Sequence, residues 1–260
     1  MTAHASTIPH VPVPQFYFGL SLVFATVAFV GFTPTYVIPA AGGRFDGPAM
    51  VHLHGLLFFA WTVLLVLQAR LARASPQTHR AFGLVGISLA TAMFFMGMAL
   101  VVRGLALGVE AGNGAGTRPL SIVPVFAIST FAICFALAVA NIRRPENHKR
   151  FIVLATVALL PAAIARMFFA FLGPEGTARP EINAPVPDID FALTAIIVPA
   201  LLADSLLIAA LVYDWRTRGR PHKVYVIGGL CILGSQALRP LIARTDAWTA
   251  VTDALLAFGG

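Results

Sequence analysis

Apolar and polar positions along this chain separate into long blocks. Seven apolar runs alternate with short polar links. Each run reaches the roughly 20 residues that cross a hydrocarbon core. They predict helices over residues 15–38, 49–72, 80–105, 119–142, 149–172, 189–215 and 222–244, numbered 1 to 7 in this subsection. The stretch 246–258 is too short to span. Thr245 can cap it, and Trp248, Val251 and Leu255 fall on one face, which predicts a short interfacial helix. Between Gly173 and Asp188, the prolines Pro174, Pro180, Pro185 and Pro187 predict an ordered, extended loop. The predicted fold class is all-α, an integral membrane seven-transmembrane-helix bundle forming a single transmembrane domain over residues 1–260.

The links carry a second pattern. After helices 2, 4 and 6 the chain enters a short basic link, then His-Arg or His-Lys, then another apolar run. The stretches are THRAFG at His79, NHKRF at His148 and RPHKVY at His222. Helices 2–3, 4–5 and 6–7 therefore look like three hairpins repeated in parallel, with helix 1 outside the pattern. These three links hold eleven Lys and Arg residues, whereas the other three hold Arg44, Arg118 and Arg179. The excess orients the basic links to the cytoplasm, the N-terminus inside and the C-terminus outside. His79, His148 and His222 then form a cytoplasmic interface, suited to anchoring the helix starts or to meeting anionic lipid or a partner.

Composition agrees with the membrane reading. Hydrophobic residues are 58% and charged residues 11% of the chain, with a mean hydropathy of +0.83. The net charge of +7 would point to nucleic acid in a soluble protein. Here the basic residues lie at span ends, so no nucleic-acid partner is expected and the lipid bilayer is the partner. The start, MTAHASTIPHVPVPQ, has no Lys or Arg and lacks a signal peptide's charged region. Helix 1 is therefore read as a retained span. Cys134 and Cys231 fall inside apolar runs, without a CxxC.

Ionisable groups inside spans are costly and call for an explanation. On helix 2, His54, Phe58, Trp61, Leu65 and Gln68 share one face. Met93, Met96 and Arg103 align on helix 3, Arg166 with Thr156 and Ala163 on helix 5, and Arg239 with Tyr225 and Gln236 on helix 7. At 1.5 Å per residue, His54, Met96, Arg166 and Arg239 each lie roughly 7–14 Å from the outer boundary, with Arg103 at the rim. Haem b accepts His and Met ligands while arginines suit its propionates. Copper also takes His and thioether ligands, so His54 and Met96 are the candidate metal ligands. The arginines alone suit an anionic head group. Each residue also has a structural reading: methionine as packing, arginine reaching for the interface, histidine as a satisfied polar group. Asp204 on helix 6 is placed nearer the cytoplasmic side, as a hydrogen-bonded carboxyl or a proton-coupling group. Pro161 and Pro199 can break helices 5 and 6 and free carbonyls.

No mid-span lysine exists for a retinal Schiff base, and no H-E-x-x-H, P-loop or G-x-S-x-G occurs. No catalytic residue is named on these grounds. The segments HLHGLLFFAWTVLLVLQ, THRAFG, NHKRFIVLATVALLPAAIAR and DWRTRGRPHKVY resemble an uncharacterised family of multi-pass bacterial inner-membrane proteins. The NHKRF stretch is also similar to small membrane proteins of cytochrome oxidase maturation. The resemblance implies the fold and the bacterial inner membrane. Three functions follow as expectations: a cofactor- or ligand-binding protein serving respiratory machinery, a small organic-anion transporter or channel, and a structural subunit of a membrane complex.

Overall fold

The computed structural model describes residues 15–171 and 196–259. Among them the chain is helical, and seven helices are long and apolar enough to cross a membrane. They are α1 Gln15–Ala41, α2 Ala49–Ala74, α3 Pro76–Glu110, α4 Gly114–Ala140, α5 Pro145–Phe168, α6 Ile197–Arg218 and α7 Lys223–Ile242. A further helix, α8, runs Asp246–Gly259. Leu56, Leu84, Phe95, Leu230 and Leu241 point outward from the bundle. So large an apolar exterior fits a lipid solvent and marks a multi-pass membrane protein.

Proline and capping residues set the helix ends. α3 begins at Pro76 rather than at the predicted Arg80. Ser75 caps it, its Oγ accepting the Thr78 N–H at 3.4 Å, and Pro76 occupies the first turn, where no N–H is needed. α5 likewise starts at Pro145. Pro161 then interrupts α5 at Ala158–Leu159, because it has no N–H for the Val157 carbonyl; the helix resumes over Leu160–Phe171. Pro199, by contrast, sits in the first turn of the described α6. In α1, the stretch Thr33–Val37 widens into a π-helical turn around Pro34, and the Ile38 N–H reaches back to the Thr33 carbonyl. The predicted loop at 173–188 and the predicted start of helix 6 at 189 lie outside the described residues.

α5 is the hub. It packs against α1, α4, α6 and α7, while α1–α2, α2–α3, α3–α4, α4–α7 and α6–α7 are further packed neighbours. Accordingly 44% of its apolar stretch is buried, against 11% for α2. The core joins Phe24, Trp61, Met93, Phe131, Leu154 and Tyr225. Trp61, on the predicted inward face of α2, meets Phe131 of α4 edge-on at 5.0 Å. Backbones touch where α1 crosses the second half of α5: a Cβ on Gly31 would overlap the Ala163 carbonyl. The C-terminal helix α8 caps one end of the bundle. Thr245 caps it, accepting the Trp248 N–H at 3.2 Å, and the Trp248 indole N–H donates to the Arg118 carbonyl at 2.9 Å. Its buried face is Trp248 with Thr252, whereas Val251 is 43% exposed. Arg118 decides this rotation by donating to Thr252 at 2.8 Å and pairing with Asp253.

Candidate functional site

Among the described residues, three groups of ionisable side chains stand out besides the link histidines. The most buried is at the basic end. Arg150 of α5 and Asp214 of α6 have side chains 1% and 0% exposed. The guanidinium grips both carboxylate oxygens, with Nε donating to Oδ2 at 2.8 Å and Nη2 to Oδ1. Nη1 donates to the Glu146 carbonyl and carboxylate, both at 2.7 Å. Glu146 also accepts from Lys149 at 2.6 Å and Arg218 at 2.7 Å. Asp214 further accepts the His222 backbone N–H at 3.2 Å, so the α6–α7 link is tied to the pair. The Arg150 guanidinium lies 5.4 Å from the centre of the Tyr225 ring, and Lys149 lies 4.8 Å from that of Tyr17. α1, α5, α6 and α7 thus meet on one ion-pair network.

The second group faces a cleft between α4, α6 and α7, at the end opposite the basic links. Val123, Ile197, Ala200, Gln236, Arg239 and Pro240 line it, with Ile196, around about 30 Å³ of space. Asp204 is 7% exposed, with Gln236 and Arg239 as its polar neighbours. Neither Asp204 oxygen closes a hydrogen bond among the described residues, nor does the buried Arg239 Nε. Arg239 also stands 5.7 Å from the centre of the Phe126 ring. Pro240 lines the cleft and has no N–H to offer the Gln236 carbonyl one turn earlier. Asp204 was expected nearer the basic end. In the structure it lies in the first half of the described α6, facing Gln236 and Arg239, while Leu207 three residues on packs against Gly229 of α7.

The third group is His54 and Arg166. The His54 Nδ1 is buried without a hydrogen-bond partner, its ring lies 4.1 Å from that of Phe58, and Arg166 is its charged neighbour. The Arg166 guanidinium covers the Phe32 ring at 4.9 Å, beside the π-helical turn. Arg166 therefore faces α1 and α2, whereas Arg239 faces α4 and α6. The single cavity expected for His54, Met96, Arg166 and Arg239 resolves into two neighbourhoods, because α5 and α7 present their arginines to different partners. Met96 is half-buried beside the fully buried Met93, and Arg103 is exposed. His52, two residues from His54, turns elsewhere and bonds the Tyr36 hydroxyl at 2.9 Å.

The three link histidines divide two and one. His79 bonds the Gln68 carbonyl through Nδ1 at 3.2 Å, and His148 bonds the Ala138 carbonyl through Nδ1 at 2.8 Å. Each ties a helix start to the end of the helix before it. Their rings lie 6.3 Å apart and perpendicular. His222 instead caps its own helix, its Nδ1 accepting the Val224 N–H at 3.2 Å. Burial first, then the Arg150 and Arg218 charges, lower its proton affinity below the ordinary value of 6.5.

Sequence reasoning counted Arg150 only as an orientation signal and passed over Asp214. The signals were present: Glu146 stands four residues before Arg150, and Asp214 lies near the end of a span, just before a basic link. What joins them is tertiary. Among the described residues, no group of three His, Cys, Asp or Glu side chains is arranged to hold a metal ion. In comparisons with protein-family models, curated proteins and solved structures, nothing matches this chain.

Proposed function

We propose that this protein is a bacterial inner-membrane carrier or channel that binds a small organic anion at Arg239, with Asp204 as the proton-coupling group. One observation carries the reading. Asp204 is buried beside a cleft, with Gln236 near it but no hydrogen bond of normal length and angle among the described residues, and it faces an arginine whose Nε is also unpaired. An unbonded carboxylate in a low-dielectric interior costs several kcal/mol, so the group holds a proton or gains a partner. A carboxylate ligand entering the cleft would take the guanidinium from Asp204, and Asp204 would take up a proton in its place. The Gln236 side-chain amide supplies a donor and an acceptor for orienting the ligand.

The test is flux in proteoliposomes loaded with a pH-sensitive dye. Gradients of small mono- and dicarboxylates are imposed from outside. The wild type should move at least one of them together with protons. Arg239→Gln should abolish the flux, and Asp204→Asn should separate anion movement from proton movement. Absence of flux from folded wild type, or equal flux in both variants, rules the reading out.

His54 favours a second reading. A buried, unpartnered imidazole nitrogen beside a cation suits an axial ligand for haem b or a copper ligand, with Arg166 toward an anionic group. The protein would then serve respiratory machinery. A Soret band in the purified protein, lost in His54→Ala and kept in His52→Ala, is the expected signature.

A further inference from the structure

We propose that His79 and His148 hold a single copper(I) ion between their Nε2 atoms at the basic end of the bundle. This site is separate from the cleft at Arg239 and does not depend on its function.

The hydrogen bonds fix the chemistry of both rings. A backbone carbonyl can only accept, so the Nδ1 atoms bonded to the Gln68 and Ala138 carbonyls each carry a hydrogen. In a neutral imidazole the other nitrogen then bears the lone pair. Both Nε2 atoms are thus left as acceptors, and neither makes a hydrogen bond among the described residues. A backbone carbonyl behind Nδ1 is the usual support of a metal-binding histidine, because it sets tautomer and ring orientation together.

The spacing limits the ion. The ring centroids are 6.3 Å apart. Two imidazoles binding one ion from opposite sides have centroids about 6 Å apart, from a metal–nitrogen bond of roughly 2.0 Å and a ring half-width of roughly 1.1 Å on each side. Tetrahedral coordination would draw them in to about 5 Å. The 89° between ring planes is compatible with opposed coordination, since each ring turns freely about its metal–nitrogen bond. The described residues offer no third His, Cys, Asp or Glu to complete a zinc-type set. The nearest carboxylate on the same link, Glu146, is already engaged by Lys149, Arg150 and Arg218. Arg80 and Lys149 directly follow the two histidines. This positive field opposes a divalent ion more than a monovalent one. Copper(I) is monovalent and stable with two opposed nitrogen donors. Gln68, whose carbonyl holds His79, also has a buried and unpartnered side-chain Oε1. It is one polar group near the pair whose needs the fold has not met.

The experiment is anaerobic titration of the detergent-purified full chain with copper(I) in competition with bicinchoninate. The wild type should capture one ion per chain. His79→Asn and His148→Asn should each bind at least tenfold more weakly, and His52→Asn should bind as the wild type does. Asparagine is chosen because its amide N–H can replace the Nδ1 hydrogen bond while nothing stands at Nε2. A variant that melts with the wild type but loses copper therefore reports the ligand and not the fold. X-ray absorption of the loaded wild type should show two nitrogen neighbours and no sulfur. No capture by wild type, undiminished capture by either variant, or three or more ligands in the absorption spectrum would each overturn the assignment. So would a haem that copurifies with wild type and is lost in the same variants.

Discussion

Arg150 and Asp214 clasp one another across 64 residues of chain, both fully buried at the basic end of the bundle. The pair unites the hub helix with the last hairpin. Asp214 also holds the backbone of the α6–α7 link through the His222 N–H.

Removing one member of such a pair leaves a buried charge, which costs about 3–5 kcal/mol. Asp214→Ala should therefore lower the melting temperature of the detergent-solubilised protein sharply. Replacing both partners together, as Arg150→Met with Asp214→Leu, should recover much of that loss. Thermal unfolding of Arg150→Met, Asp214→Leu and the double variant measures the coupling. Additive losses would show that the pair does not act as a unit.

The His222 cap should make the α7 start sensitive to acid. Its ring nitrogen accepts the Val224 N–H, which requires the neutral form. The folded-state proton affinity lies below the ordinary value of 6.5, first through burial and then through Arg150 and Arg218. The unfolded chain thus binds the proton more readily. The stabilisation is fully present above pH 6.5 and is lost as pH falls through the lowered folded value. His222→Asn keeps a capping acceptor without the titration. Hydrogen exchange at the Val224 amide should rise on acidification in wild type beyond the intrinsic rate change, and should not do so in that variant.

Gly31 permits backbone contact between α1 and α5. Gly31→Val should push the helices apart at Ala163 and move Phe32 off the Arg166 guanidinium. We expect a cost of about 1–3 kcal/mol from overpacking. Gly19, which has open space where a Cβ would stand, should accept alanine without loss, so the pair of variants separates contact from helix propensity.

The charge asymmetry of the links predicts orientation. Reporter fusions after Arg73, Arg144 and Arg218 should report cytoplasm, and fusions after Gly112 and Arg179 the opposite side. Reversed signals would put the histidine pair outside and the Arg239 cleft inside.

The sequence by itself determined the seven spans, their hairpin order and the Thr245 cap of the last helix, whereas the starts at Pro76 and Pro145 lie four residues before the predicted Arg80 and Lys149. These are local matters: hydropathy over about twenty residues, a missing N–H, a capping hydroxyl. It also singled out His54, Arg166, Asp204 and Arg239, which are costly in an apolar run, and the three link histidines at the span ends. The tertiary structure decided their company. Helical periodicity gives a face and a depth but not the identity of the facing helix. Met96 matched His54 in depth with Arg103 at the rim above them, yet the structure shows Met96 half-buried and Arg103 exposed. Asp204 meets Arg239 through the packing of α6 against α7, where Leu207 lies on Gly229. Arg150 looked like a surface charge until the packing of α5 against α6 removed it from water and gave it Asp214. Which charges become buried partners depends on contacts between residues far apart in the chain, and these form only when the hub helix is enclosed.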